Sequence, residues 1–214
     1  MTLQVNELFH SIQGESIWAG LPCSFVRLTG CNLRCRYCDT TYAYDSGEPM
    51  QIQQIVQALA EFDCRRVTIT GGEPLIQYRT PELIQRLLAR EYRVSLETNG
   101  SQDIQLLDNG CMIVMDLKCP SSGMRQQNRI ENLRYLKHSD QLKFVIADRE
   151  DYLFARKIVK LEANHLPGDN ILFSPAFGTM PPQRLAGWIL DDGIEARLQI
   201  QLHRILWPDR DKGV

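Results

Sequence analysis

No apolar run in the sequence approaches the ~18 residues that a membrane-spanning helix needs, so no membrane partner is expected. The first eight residues, which include Glu7, have neither the basic nor the apolar stretch of a secretory signal. The expected location is therefore the cytoplasm. A charge excess of either sign is also missing: 24 Lys and Arg stand against 26 Asp and Glu, a net charge of −2 over 214 residues. Holding nucleic acid by neutralising phosphates requires a basic surplus, so nucleic acid is not an expected partner. No internal repeat, low-complexity tract or Pro/Gly/Ser-rich linker divides the chain, and one domain spanning residues 1–214 is expected. What is present is ordinary for a globular protein. With 43% hydrophobic and 23% charged residues, a chain of this length can bury a core that needs no disulfide.

From Pro22 onward, short β-branched or apolar runs alternate with segments of helical period, the pattern of repeated βα units around a mostly parallel sheet. Strands are expected at residues 24–28, 66–70, 94–97, 113–117, 142–146 and 171–173, with a further strand at 5–9 and a last one at 198–202. Ile52, Ile55, Val56 and Leu59 share one helical face, as do Leu83, Ile84, Leu87 and Leu88, the latter group following Thr80 as N-cap and Pro81 as first helical residue. Helices are also expected over 130–136, 152–161 and 183–190, and the polar segments 40–50 and 119–128 read as long loops. The unusual residues gather at the strand ends, in Thr29-Gly30-Cys31, Thr70-Gly71-Gly72-Glu73-Pro74, Glu97-Thr98-Asn99-Gly100, Asp116-Leu117-Lys118-Cys119-Pro120 and Ser174-Pro175. Parallel α/β folds bind their ligands at the carboxyl ends of strands.

Seven cysteines are distributed unevenly: Cys31, Cys35 and Cys38 fall within eight residues, while Cys23, Cys64, Cys111 and Cys119 are scattered. In a reducing compartment such a cluster points to metal or redox chemistry rather than to disulfides. Three thiolates in a loop with a glycine hinge can hold three corners of a cubane iron–sulfur cluster, although four cysteines are the usual set. If no other residue closes the site, one iron stays open for chemistry. Cys64 and Cys119 are conceivable fourth ligands. A structural zinc site is the competing reading, but zinc sites normally show paired ligands at recognisable spacing. His10, the nearby imidazole, and Cys23, Cys64 and Cys111 read as structural residues.

The C-x3-C-x2-C loop after one strand, followed by Gly71-Gly72-Glu73-Pro74 after the next, resembles the radical S-adenosylmethionine (SAM) superfamily. That resemblance implies a [4Fe-4S] cluster on Cys31, Cys35 and Cys38 whose open iron is chelated by SAM. The implied chemistry is reductive cleavage of SAM to a 5′-deoxyadenosyl radical that abstracts a hydrogen atom. It also implies a partial (βα)6 TIM-like barrel with loop insertions, in keeping with a length short of the ~250 residues of a full barrel. A narrower resemblance runs through Asn6-Glu7-Leu8-Phe9-His10-Ser11-Ile12-Gln13-Gly14-Glu15, Phe25-Val26-Arg27-Leu28-Thr29-Gly30-Cys31, Cys38-Asp39-Thr40, Leu202-His203 and Trp207-Pro208. These segments resemble the 7-carboxy-7-deazaguanine synthase family.

This resemblance implies a lyase of 7-deazapurine and queuosine biosynthesis. Its substrate would be 6-carboxy-5,6,7,8-tetrahydropterin, contracted with loss of ammonia while SAM is used catalytically. Substrate contacts are implied at Ile12, Gln13, Gly14, Glu15 and Arg27, with Thr70 and His203 as further candidates. SAM contacts are implied at Tyr37, Cys38, Asp39 and Gly72, and strand-end position adds Glu97, Lys118 and Ser174. Thr40 would be a ligand of Mg2+, a hard cation that takes oxygen donors. On the residues alone Arg27 reads equally as a ligand contact or an outward charge, Lys118 as a cofactor contact or an ion pair with Asp116, and Thr40 as a loop cap. A homodimer is implied. Arg34 and Arg36, between the cluster cysteines, read either as a surface that attracts an acidic electron donor such as flavodoxin or equally as solvated charges. The competing readings are a glycyl-radical activase and a non-catalytic electron-transfer module.

Overall fold

The structure, a computed structural model, describes residues 2–214. Nine strands form one sheet: β1 (Leu3–Ile12), β2 (Pro22–Leu28), β3 (Glu48–Met50), β4 (Arg66–Gly71), β5 (Arg93–Thr98), β6 (Met112–Asp116), β7 (Gln141–Ile146), β8 (Ile171–Pro175) and β9 (Arg197–Leu198). Their spatial order is β3-β1-β2-β4-β5-β6-β7-β8-β9. From β2 to β9 every neighbour is parallel, whereas β1 runs antiparallel to both β2 and β3. Among the described residues β3 and β9 do not pair, so the sheet is an open partial barrel.

Helices cover the sheet because each has one apolar face. Helix α1 (Ile52–Ala60) buries Ile52, Ile55, Val56 and Leu59, each worth about 1.5–3 kcal/mol of removed apolar surface. Its entry is fixed by Gln54, whose Oε1 accepts from the Gln51 backbone N–H at 2.8 Å. Helix α2 (Thr80–Leu88) buries Leu83, Ile84 and Leu87. Helices α3 (Arg149–Leu161) and α4 (Pro182–Asp191) pack with β7 and β8 around Phe144, Tyr152, Phe173 and Leu185. The central strands are buried along most of their length, as strands between a helical layer and a barrel interior must be.

Several expected boundaries differ. Thr80 is the first residue of α2 rather than its cap, Arg79 holds the cap position, and the Thr80 hydroxyl donates to the Pro74 carbonyl at 2.6 Å. Residues Ile130–Tyr135 form 3-10 turns, not an α-helix. Buried Asn132 donates from Nδ2 to the carbonyls of Gly100 at 3.0 Å and Gln102 at 2.7 Å, so the segment serves as a lock on the loop after β5. The expected last strand shortens to the two residues of β9, and Leu202 begins α5 (Leu202–Leu206). The Gln199 backbone N–H still donates to the Phe173 carbonyl of β8 at 2.9 Å, and beyond it the Gln201 side chain tethers the segment to Asp39. The loop over 40–50 contains a 3-10 turn and β3.

Candidate active site

A cavity of about 230 Å³ lies inside the partial barrel and opens at the carboxyl ends of its parallel strands. The cysteine loop forms its rim. Gly30, with φ of +96°, turns the chain out of β2, and its carbonyl accepts from the Glu73 N–H at 2.8 Å. Gly72 packs so closely on this turn that a Cβ would sit 2.7 Å from the Cys31 Cβ. Here the absence of a side chain is a packing requirement. Fully buried Glu73 then ties the ends of β4 and β5 together, accepting from the Asn99 N–H at 2.6 Å, Thr98 Oγ1 at 2.9 Å and the Leu75 N–H at 3.0 Å. Burial pushes its carboxyl up, and these donors oppose the shift.

Cys31, Cys35 and Cys38 line one wall of the cavity as free, partly exposed thiols. Burial raises Cys31 and Cys35 above the ordinary thiol value. The Leu33 N–H approaches Cys31 Sγ at 3.4 Å and Asn99 Nδ2 lies 3.9 Å from the same sulfur. Cys119 is fully buried against the carbonyls of Leu117 and Asp151, away from this wall. Cys64 precedes β4, at the opposite end of the strands from the cysteine loop. Neither can be a fourth ligand. Beside the thiols, the buried hydroxyl of Tyr37 and Oδ1 of Asp116 have no hydrogen-bond partner among the described residues. The other oxygen of Asp116 pairs with Lys118 Nζ at 3.0 Å, so Lys118 is both an ion-pair partner and a lining residue.

The floor comes from the turn after β1. Because β1 is antiparallel to β2, this turn lies beneath the carboxyl ends and points Gln13, Gly14 and Glu15 up into the barrel. Gln13 Nε2 donates to Thr68 Oγ1 at 3.0 Å and to Glu97 Oε1 at 3.3 Å, and its Oε1 accepts from the Glu15 N–H at 3.1 Å. Thr70 Oγ1 donates to Glu97 Oε2 at 2.8 Å. Burial and the nearby Glu15 push Glu97 up, against Lys143, Thr70 and Arg27. Lys143, in the middle of β7, reaches across the interior to hydrogen-bond Glu15 Oε2. Burial would lower Lys143, but Glu15, Asp116 and Glu97 more than offset this and hold it above its ordinary value.

One flank is made by β2 and the C-terminal segment. Arg27 faces the cavity; its Nε donates to Glu7 Oε1 at 2.6 Å, and its guanidinium lies 5.7 Å from the Tyr42 ring centre. The outward alternative for Arg27 is thereby removed. Helix α5 sits on the Gln13–Glu15 turn: the Leu202 N–H donates to the Gly14 carbonyl at 3.0 Å, and a Cβ on Gly14 would meet His203 Cγ at 2.9 Å. Burial lowers His203, against the pull of Glu15 and Asp39. At the rim Asp39 Oδ1 accepts from Thr40 Oγ1 at 2.9 Å and Oδ2 from Gln201 Nε2 at 3.0 Å. Partial burial alone would raise Asp39; these donors, with Lys143 and Arg204, hold it below the usual carboxylate value. The end of the described chain also arrives here, with the Gly213 N–H donating to Glu7 Oε2 at 3.1 Å and Val214 in the lining.

Of the residues assigned from the sequence to substrate, SAM, cluster or Mg2+, all but one meet at this cavity, Thr40 included. Ser174 does not: it is 2% exposed within β8 and lies off the lining. The sequence reading missed Lys143, Tyr42, Asn99 and Arg204. Lys143 was detectable, since a charge inside Leu142-Lys143-Phe144-Val145-Ile146 raises the same question as Arg27 inside its own apolar run.

The residues suit the expected cofactors. Among the described residues no three His, Cys, Asp or Glu side chains converge as a single ion would require. A [4Fe-4S] cluster binds each thiolate at a separate iron and spreads its ligands wider, as a single wall of three thiols allows. The orphaned Tyr37 and Asp116 oxygens beside that wall offer hydrogen bonds to a polar ligand. The model of the radical SAM superfamily matches residues 25–140. A 7-carboxy-7-deazaguanine synthase of Koribacter versatilis is 42% identical, with 99% of this chain and 100% of that protein covered. One of Chlorobaculum tepidum is 41% identical, over 99% of this chain and 97% of that protein. The crystal structure of QueE from Escherichia coli superposes with a TM-score of 0.73 at 19% identity, covering 95% of each chain, which shows a common fold. With sequence identity of this extent over whole chains, and the cysteine wall and Gly-Gly-Glu-Pro brace in place, the chain belongs to the 7-carboxy-7-deazaguanine synthase family of the radical SAM superfamily.

Proposed function

We propose that this chain contracts 6-carboxy-5,6,7,8-tetrahydropterin to 7-carboxy-7-deazaguanine with loss of ammonia, as a single radical SAM domain over residues 1–214. The observation that carries the reading is one cavity with thiols at its rim and a carboxylate–guanidinium pair of walls below them. When bound, the [4Fe-4S] cluster and SAM supply one-electron reduction and hydrogen-atom abstraction. The chain's own residues place the substrate. Glu15, at the floor, accepts from the 2-amino and ring N–H groups of the pterin. Arg27 spends Nε on Glu7, and its two terminal nitrogens present the fork that suits the substrate carboxylate. Thr70 and His203 border the space between them, and Ile12 with Gly14 brings backbone close to the ligand.

Cys31, Cys35 and Cys38 hold the cluster. Tyr37, Cys38, Asp39, Gly72 and Lys118 border SAM, with Asn99 at the same wall. Thr40 is a ligand of Mg2+, which would accept its hydroxyl oxygen and those of Asp39 as hard donors. Glu97 braces Gln13 and Thr70 from the floor rather than meeting SAM at the rim. Arg34 and Arg36 are exposed beside the cysteine loop and suit an acidic electron donor such as flavodoxin. The two-residue edge strand β9, with Leu198 and Ile205 exposed near it, supports a homodimer. The described chain has no helix long and apolar enough to cross a membrane, in keeping with a cytoplasmic place.

The test is anaerobic reconstitution of the cluster, then incubation of the reduced protein with SAM, Mg2+ and 6-carboxytetrahydropterin, following the deazaguanine by mass. Many products per SAM are expected. Accumulation of 5′-deoxyadenosine without deazaguanine would retain the superfamily chemistry and overturn the substrate.

A further inference from the structure

Lys143 has no place in the reading above, yet it is among the most enclosed charges of the cavity. It sits in the middle of β7, paired in register with Asp116 of β6 and Leu172 of β8, and only 12% of its side chain is exposed. A lysine there costs desolvation unless a partner is fixed in place. Its partner is Glu15, which belongs to the turn after β1, on the far side of the interior with β2, β4, β5 and β6 between the two in the sheet. The ion pair is thus a strut across the open barrel rather than a contact between neighbours. A second tether joins the same two elements, the Ile17 N–H donating to Gln141 Oε1 at 2.9 Å at the start of β7.

We infer that Lys143 is a specificity-determining positioning residue: it holds Glu15 as an oriented carboxylate so that the floor reads the amino-substituted edge of the pterin ring. The inference rests on the substrate reading given above. The geometry fixes Glu15 at two points, since Lys143 engages Oε2 of its carboxylate while its backbone N–H is pinned by Gln13 Oε1. The other charges around Glu15 do not substitute for Lys143. Glu97 on β5 repels it, Arg27 on β2 spends Nε on Glu7 and turns its fork to the substrate carboxylate, and His203 on α5 is pushed toward its neutral form by burial. Lys118 is committed to Asp116. A carboxylate that must accept two parallel N–H donors discriminates by orientation, because a rotated or protonated carboxyl loses one of them.

The test uses holoenzyme with cluster and SAM, and two oxidised, stable probes that share the C6 carboxylate: 6-carboxypterin, which bears the 2-amino group, and 6-carboxylumazine, which bears an oxo group there. Binding is read from ligand fluorescence. Wild type is expected to prefer the pterin by about tenfold or more, one good buried hydrogen bond's worth of discrimination. Lys143→Met is expected to weaken the pterin by about that factor, leave the lumazine within about twofold and bring the ratio close to unity. Lys143→Arg, which keeps the charge, should recover part of the preference. Combining Lys143→Met with Glu15→Gln should be no worse than Glu15→Gln alone, because one residue acts through the other. A Lys143→Met protein that keeps the wild-type ratio overturns the inference, and so does one that loses both ligands equally, which is the mark of a merely structural role. If Lys143→Met does not fold, Lys143→Gln carries the same comparison. A wild type that binds neither probe, or binds them alike, overturns the substrate reading itself, so the two failures are distinct.

Discussion

The rim and the floor of the cavity are built in different ways. The floor is a network of side chains: Gln13, Thr68, Thr70, Glu97, Glu15 and Lys143 join three strands, β4, β5 and β7, to the turn after β1. The cysteine loop is held by its backbone instead, through Gly30 to Ala43 and Glu73, Arg36 to Ser122 and Cys38 to Cys35. Its thiols take little part in this. The contrast separates what folding fixes from what ligation uses. A satisfied side-chain network rigidifies a site and ties its geometry to the stability of the fold, whereas a backbone-braced loop can present reactive side chains whose loss costs the fold little.

That contrast is broken most directly by Cys38→Ala. The expected outcome is complete loss of product and of reconstituted cluster, read as iron per chain and the visible absorption. The apoprotein's Tm should shift by only about 2–4 °C, the scale of about 1 kcal/mol in a chain of this size. A large fall in apoprotein stability would show that the thiols are part of the fold after all. Gly72→Ala should damage both properties. Its Cβ would press on Gly30 and Cys31, an overpacking cost of about 1–3 kcal/mol, so melting should fall measurably and cluster content with it. Unchanged melting would mean that the loop shifts freely and the brace is weaker than its packing indicates.

Glu73→Gln sharpens the point, because Glu73 lies at the junction of the two regions. Two backbone N–H groups and one hydroxyl donate to its carboxylate, and an amide nitrogen placed there faces donors rather than accepting from them. Leaving one such buried donor unpaired costs about 1–3 kcal/mol. Chemical denaturation should report this loss with the iron content of the reconstituted protein largely retained. A loss of iron equal to that in Cys38→Ala would assign Glu73 to the ligation machinery rather than to the brace.

The rim was the more legible region in the sequence, and the reason is chemical. Cysteines at C-x3-C-x2-C spacing and the run Gly71-Gly72-Glu73-Pro74 are local patterns, and a strand-end position can be inferred from the apolar runs before them. Six parallel strands and their covering helices were legible for the same reason, since hydrophobic period is local. The floor depends on contacts between residues far apart, such as Glu15 with Lys143, 128 positions along the chain. No spacing reports that. Nor does period reveal that Asn132 would bind the loop after β5 from within 3-10 turns, or that His203 would sit against Gly14. Ser174 shows the opposite failure: its strand-end position was right and it pairs in register with Val145, which lines the cavity, yet Ser174 is only 2% exposed and lies off the lining, so a strand-end position does not by itself report access to a ligand.

The smallest expected effect concerns the cost of the floor, and its sign follows from Glu97. Burial raises this carboxyl above its unfolded value of about 4.3. Below that pH both states hold the proton and the group is neutral to stability. As pH climbs above it the unfolded chain releases the proton first, so the folded state binds more protons and stability declines until the raised folded value is passed. Glu97→Gln has no proton to release. Its carbonyl can still accept from Gln13 Nε2, and the Thr70 hydroxyl can turn from donor to acceptor opposite the new amide. Urea midpoints measured from about pH 4 to 7 should therefore fall less steeply in Glu97→Gln than in wild type, with the gap widening toward the higher pH. Glu73 is present in both proteins and cancels from the difference. Parallel curves would mean that Lys143 and the two hydrogen bonds already offset the desolvation of Glu97, and that the floor holds this carboxylate at no cost to the fold.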